Sequence, residues 1–283
     1  MLVKTGLIDV GGGLRDVFGA GVLDKCMEDG IAFDHCIGVS AGSANISSYL
    51  SGQLCRAFKF YYEYSFRKEY MSAENYFKNG SFFDLGYVYG TLSRSDGECP
   101  LDYNAYVKNP AAFEVVATDA ATCQPRYFQK EDLTPDHYEA LMASSALPVV
   151  CRPVVIGGTE YFDGAISDPV PIRRALDAGC DKLVLILTRP TNVQRDSVRD
   201  DALAAVLHRT HPMAAHGLRL RAKRYNEAVQ WAFQLQEQGK LLILAPDDTA
   251  GVDTTKRTKE GLLRLYTKGC MAGAAVRDFL FEA

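Results

Sequence analysis

Cys36-Ile37-Gly38-Val39-Ser40-Ala41-Gly42 joins a short apolar run to a stretch compatible with a helix, and residues 38–42 read Gly-x-Ser-x-Gly. A serine so placed sits on a sharp strand-to-helix turn with its hydroxyl lifted clear of the backbone. Glycines flank it because a Cβ at either position would crowd the turn. The pattern proposes an α/β fold and a reaction class, acyl transfer through a serine nucleophile. Alone, it also fits an ordinary strand-turn-helix corner.

Two further stretches narrow the choice. Gly11-Gly12-Gly13-Leu14-Arg15 follows the apolar run Leu7 to Val10 and precedes Val17 to Met27, which reads as a helix. Consecutive glycines between a strand and a helix leave backbone N–H groups free to face an anion, and the helix dipole favours negative charge at the same spot. That anion could be a phosphate or a developing oxyanion. A dinucleotide-binding turn is the competing reading. Its third glycine would fall on Asp16, and Asp34 would be its ribose-binding acid. A plain tight turn also fits. Gly19 and Gly21, inside the helix, are expected to serve close packing. The second stretch, Tyr161-Phe162-Asp163-Gly164-Ala165, follows the strand-like Pro153 to Ile156 and the turn Gly157-Gly158. Asp163 there reads either as a turn residue or as an acid placed to reach a nucleophile.

Together these motifs resemble the patatin-like phospholipase family. Gly11-Gly12-Gly13-Leu14-Arg15 is similar to its oxyanion loop, Gly38 to Gly42 to its nucleophile elbow, and Asp163-Gly164-Ala165 to its Asp-Gly-Gly/Ala motif. Ala143-Ser144-Ser145-Ala146-Leu147-Pro148 resembles the family's stretch ahead of that aspartate. The segment Tyr225 to Tyr266, with Lys240 to Pro246, resembles the C-terminal part of a bacterial branch. The likeness spans nearly the whole chain. It departs at Asp16, where the family usually has glycine, and this bears on how the loop meets its helix. The resemblance implies a three-layer α/β/α fold with a mostly parallel central sheet. It implies Ser40 as nucleophile, Asp163 as general base, and N–H groups of Gly11, Gly12 and Gly13 as the oxyanion hole. Arg15 would meet a substrate phosphate, orient the loop, or form a structural salt bridge. No metal or other cofactor is implied.

A Ser-Asp dyad needs no histidine, and the chain has five: His35, His137, His208, His211 and His216. The last three follow Asp163, as a Ser-His-Asp triad of α/β-hydrolase order requires, but they lie in a charged stretch that reads as surface. His35 lies at the base of its strand. An ordinary aspartate, with a pKa of about 3.9, is a weak base toward a serine hydroxyl. Burial beside Phe162, Ala165 and Ile166 would raise it.

The 283 residues, 47% apolar, suit one enzyme domain spanning 1–283, with residues from about 200 to 283 as a C-terminal extension. The net charge of −4 offers no field for nucleic acid. Residues 1–10 lack the apolar core of a signal peptide, and no run approaches the roughly 20 apolar residues that span a bilayer. A cytoplasmic location with peripheral contact to membrane surface is therefore expected, and oligomeric state stays open. The eight cysteines lack metal spacing and read as reduced small hydrophobes.

Strand-like runs (Leu7 to Val10, Phe113 to Ala117, Leu183 to Leu187, Leu241 to Leu244) alternate with helical patterns (Val17 to Met27, Ala44 to Leu54, Ala165 to Ala178, Lys223 to Gln238). Such alternation predicts a mostly parallel sheet covered on both faces. Aromatics crowd Phe58 to Tyr89, which reads either as a peripheral packing segment or as a cover whose rings line an acyl tunnel. The expected function is hydrolysis of acyl esters of glycerophospholipids or related lipids. An acyltransferase on the same scaffold, a Ser-His-Asp esterase and a non-hydrolytic nucleotide-binding protein remain alternatives.

Overall fold

The computed structural model describes residues 3–281. Eight strands form one sheet: β1 (Thr5–Asp9), β2 (His35–Val39), β3 (Ala112–Asp119), β4 (Pro125–Gln129), β5 (Val154–Ile156), β6 (Thr159–Asp163), β7 (Lys182–Ile186) and β8 (Leu241–Leu244). They run in the order β5-β6-β3-β2-β1-β7-β8, with β4 also on β3. Strands β3, β2, β1, β7 and β8 pair in parallel, whereas β4, β5 and β6 are antiparallel to their neighbours.

Along each parallel strand the side chains alternate between two cores, as a pleat of period two dictates. Leu7, Cys36, Val184 and Ile186 face one core, and Ile8, Ile37, Leu183 and Leu185 face the other. On the first face lie α1 (Val17–Glu28), α2 (Ala41–Leu50), α3 (Arg56–Tyr62), α4 (Ala73–Asn79), α5 (Tyr103–Lys108) and α6 (Glu139–Ser145), the last four with their connecting loops. On the second lie α7 (Ile172–Asp177) and the 26-residue α9 (Pro212–Glu237), joined to α8 (Val198–Leu207). The chain ends with α10 (Lys259–Gly273) and α11 (Ala275–Phe281), back on the first face. The fold is thus three layers, α/β/α, around a mostly parallel sheet. Among the described residues no helix is long and apolar enough to cross a membrane.

Two expected helices change. Ala165 to Ala178 divides into a single 3₁₀ turn (Gly164–Ile166) and α7. Pro169 and Pro171 lie between them and push the residues before them out of helical conformation. The helix expected from Lys223 begins eleven residues earlier, with Pro212 at its first turn. Five of the eight cysteines are buried and all are unpaired, with Cys55 exposed.

One long register decides where the site forms. β3 outlasts β2: Val39 pairs with Val116, where β2 ends. On the opposite edge β4 pairs with β3 from Glu114 to Thr118, so β6, which pairs Asp163 with Ala117, must take the edge that β2 has vacated. Two strands meet end to end there, and the residues at their tips are Ser40 and Asp163.

The C-terminal third is part of this body. β8 extends the sheet beside β7, and α10 lies against α1. The contact between the helices is close: a Cβ at Gly21 would collide with the backbone carbonyl of Tyr266, so only glycine admits α10 at this distance. Gly21→Val should therefore lower the urea-unfolding stability by about 1–3 kcal/mol, the usual range for overpacking. An unchanged midpoint would show that the helix pair has slack.

Candidate active site

Ser40 occupies the tip of β2 with φ 56° and ψ −131°, a conformation that L-residues rarely hold. The nucleophile-elbow expectation requires this strained geometry. Ser144 braces the turn: its Oγ accepts the Ser40 N–H (2.8 Å) and donates to the Val116 carbonyl (2.6 Å), so a wholly buried hydroxyl ties the elbow to β3. Ser40 itself is 8% exposed.

Asp163, 1% exposed, is anchored through its backbone. Its N–H donates to Ala146 (2.9 Å), and its carbonyl accepts from Thr118 Oγ1 (2.9 Å). The carboxylate accepts the Ala165 N–H at 2.8 Å. Burial raises its pKa above the ordinary aspartate value. The facing Ser40 hydroxyl, the Ala165 N–H and, more distantly, Arg221 and Arg195 oppose that rise.

The glycine loop adopts φ values of +68°, +147° and +62° at Gly11, Gly12 and Gly13, all in the region open to glycine. The expectation that all three N–H groups face an oxyanion needs correction at Gly11. Its N–H donates to the buried Asp9 carboxylate at 3.1 Å. The N–H groups of Gly12 and Gly13 carry no such commitment among the described residues. Thr188 Oγ1 donates to the Gly11 carbonyl (2.6 Å), and the Leu14 N–H donates to the Thr254 carbonyl (3.2 Å). Arg15 is 5% exposed, ion-paired with Asp253 and bonded to Thr254 Oγ1 at 3.0 Å. It is thus a structural anchor, and it also lines a cavity.

The site opens on two cavities that share Gly13, Ser40, Phe83 and Leu147 as walls. The smaller, about 80 Å³, is mostly apolar and runs beneath the aromatic segment past Phe60, Tyr61, Tyr70 and Tyr89. The larger, about 540 Å³, contains Asp163 and several arginines. No histidine lines either one. His35, at the foot of β2, lies 3.8 Å from Glu114, and His211 faces Glu160 at 3.1 Å. His137, His208 and His216 are exposed. The dinucleotide alternative also loses its ribose ligand. The Asp34 carboxylate accepts from the Thr5 N–H (2.7 Å) and hydroxyl (3.0 Å), at the end of the sheet opposite the glycine loop.

Asp9 and Asp16 form a group that the sequence did not single out. Both are wholly buried. A Cβ at Gly19 would collide with Asp16 Oδ1 and lie 2.7 Å from Asp9 Oδ2, so the two carboxyls converge on one point. Asn45 Nδ2 donates to the Asp16 carbonyl (2.9 Å) and approaches Asp9 Oδ2 (3.4 Å), while Tyr61 donates to Asn45 Oδ1 (2.9 Å). Among the described residues, no protein N–H or O–H donor reaches the buried Asp16 carboxyl oxygens. Two dry carboxylates in contact cannot both ionise. Asp16 therefore keeps a proton and donates it to Asp9, which in turn holds Gly11. Burial pushes Asp9 up to about 6, and burial plus the Asp9 charge raises Asp16. Because these native pKa values exceed the unfolded ones, the native state binds more protons. The stabilisation is complete below about pH 4 and declines as pH rises through about 6. Asp16→Asn should therefore flatten the fall of Tm between pH 5 and 8. Parallel curves for variant and wild type would reject the shared proton.

Comparison with known proteins agrees with this geometry. The model of the patatin-like phospholipase family matches residues 10–176, more than half of the chain, and a domain of unknown function (DUF6363) matches residues 211–278. The chain is 29% identical over 195 residues to the uncharacterized protein YjjU of Escherichia coli K12, a match covering 67% of this chain and 53% of YjjU. It thus spans about half the length of that curated relative. The crystal structure of VipD from Legionella pneumophila resembles it with a TM-score of 0.51 at 14% identity, covering 98% of this chain and 67% of VipD, a likeness of fold. With its family model matched across the elbow, the glycine loop and the aspartate motif, the chain belongs to the patatin-like phospholipases.

Proposed function

We propose that the protein is a serine acyl hydrolase that cleaves acyl esters of glycerophospholipids or related lipids through Ser40 and Asp163. The observation that carries this is that Ser40 and Asp163 stand at the abutting tips of β2 and β6 and wall the same cavity, where an apolar and a polar cavity join. In the first step Ser40 Oγ attacks the ester carbonyl carbon and Asp163 takes its proton. The N–H groups of Gly12 and Gly13 receive the negative charge that develops on the carbonyl oxygen. The intermediate collapses with release of the alcohol, to which Asp163 returns the proton. Water then attacks the acyl-enzyme by the same route, releasing the fatty acid and restoring Ser40. The acyl chain lies in the apolar cavity, so the substrate is a lipid reached at a membrane surface or in a micelle.

Fluorophosphonate should label Ser40 and abolish esterase activity. Asp163→Asn should lose about 10³-fold in kcat, and alanine at each histidine should retain at least about a tenth of wild-type activity. Since Asp163 must be ionised to act and burial raises its pKa, the acid limb of kcat/KM should lie above the ordinary aspartate range. Labelling of another serine, or a folded but inactive histidine variant, contradicts the assignment.

The aromatic walls give a separate test. Each methylene buried in the cavity contributes about 0.8 kcal/mol, whereas a short ester touches only the reacting groups. Tyr89→Phe removes the hydroxyl that meets Ser145 at 3.0 Å, and Phe60→Leu reshapes the wall. Both should change the ratio of kcat/KM for long over short p-nitrophenyl esters several-fold. A constant ratio with lowered Tm would mean that the rings serve packing alone.

A further inference from the structure

The larger cavity is walled by more guanidinium groups than its carboxylates can neutralise. Asp200, 2% exposed, is shared by Arg221, through Nε at 2.9 Å and a second contact from Nη2, and by Arg195, at 3.3 Å. Asp253 is shared in the same way by Arg15 and by Arg199, the latter at 3.3 Å. Each trio carries one surplus positive charge. Arg189, three residues beyond the end of the buried strand β7 and next to Thr188, which holds the glycine loop, has no carboxylate partner among the described residues and adds another. Two further acids line this wall: Asp163, which sits beside Ser40, and Asp196, which is exposed and accepts the Val198 N–H at 3.0 Å, so five arginines stand against four carboxyl groups.

Two of these cations are incompletely satisfied. The buried Nε atoms of Arg15 and Arg195 have no acceptor. Burial and, after it, the positive charge of Arg189 bring Arg15 down to about 10; burial and the neighbouring Arg221, with Arg189 further off, also lower Arg195. The Tyr225 phenol, 8% exposed, faces the same three arginines. Uncompensated like charges in a concave, half-dry site are relieved by an anion, and guanidinium forks match phosphate oxygens. A volume of 540 Å³ accommodates a small polar head group. For a trimethylammonium group this wall leaves only the exposed Asp196 and the Asp163 carboxyl beside Ser40, since Asp200 and Asp253 are both bound between arginines.

We propose that Arg189, Arg195 and Arg15 bind the phosphate of an anionic head group while the scissile ester lies at Ser40, so that the enzyme selects net-negative, phosphate-bearing acyl esters over zwitterionic and neutral ones. This rests on the acyl-hydrolase reading for its substrate, but the anion site stands on its own geometry.

The test has a kinetic arm and a binding arm. The kinetic arm compares kcat/KM for 1-acyl-glycerol 3-phosphate, 1-acyl-glycerophosphocholine and monoacylglycerol of one chain length, below micelle formation. Wild type should favour the phosphate monoester by about tenfold or more, the scale of one charge-assisted contact. The ratio should collapse in Arg189→Gln and recover in part in Arg189→Lys. Arg189 is half-exposed and has no partner to orphan, so its variants are expected to fold. The binding arm titrates inorganic phosphate into Ser40→Ala by calorimetry and repeats it with Arg189→Gln added, where affinity should drop by about tenfold. Equal kcat/KM for the three lipids overturns the head-group assignment even if free phosphate binds, because the site would then serve a free anion. Phosphate binding indifferent to Arg189 overturns the site itself. Absence of all hydrolysis and of fluorophosphonate labelling, with Arg189-dependent phosphate binding intact, would count against the hydrolase reading while upholding the anion site.

Discussion

The geometry of the site depends on a mismatch of strand lengths. β2 stops at Val39 opposite Val116, β3 continues, and β6 fills the vacated edge from Asp163 opposite Ala117. An acid more than 120 residues downstream thus arrives one pairing step beyond the elbow, fixed by ladder hydrogen bonds as well as by its own contacts. Ser144 reinforces the same junction, since its hydroxyl bonds to both Ser40 and the Val116 carbonyl. Rigid backbone positions the two residues of the proposed dyad, which is what a weak base needs if it is to meet a hydroxyl repeatedly in one orientation.

The loop that faces this pair is held from two directions. From below, the Asp9–Asp16 acid pair holds the Gly11 N–H. From the side, Thr188, Asp253 and Thr254 fix the Gly11 carbonyl, the Arg15 guanidinium and the Leu14 N–H. With its first N–H committed, the loop presents the second and third. Three glycines therefore serve two purposes, one of them anchoring.

Much of this was legible in the sequence, because the signals were local. Apolar runs such as Leu183 to Leu187 marked the buried strands, and the three glycine-bearing motifs marked the turns at their carboxyl ends. Ser144 lies within the stretch Ala143 to Pro148 that resembles the family, but nothing in that stretch distinguishes it from Ser145. Other features depend on tertiary convergence. Asp9 looked like one polar residue in an apolar strand, and its meaning appears only when Asp16 folds back onto it. Arg189, Arg195 and Arg221 come from a loop and a distant helix, so no spacing announces them. The charged stretch His208 to His216 conceals the start of α9, because the only buried residues of its first turn are the small Ala214 and Ala215. β4 carries no apolar run to mark it, since only Phe128 in it is buried.

The matched family regions divide the chain between residues 176 and 211, yet the physical body does not divide there. β7 would lose its parallel neighbour β8, and α1 would lose α10. A fragment ending after α7 would lack both strands on that flank, leaving β1 as a hydrophobic rim with open N–H and C=O groups. Such a rim is a template for association with other chains. A therapeutic, biosensor or display format built from the shorter fragment would therefore tend to aggregate, and grafting this chemistry onto another scaffold means carrying the last third of the chain with it.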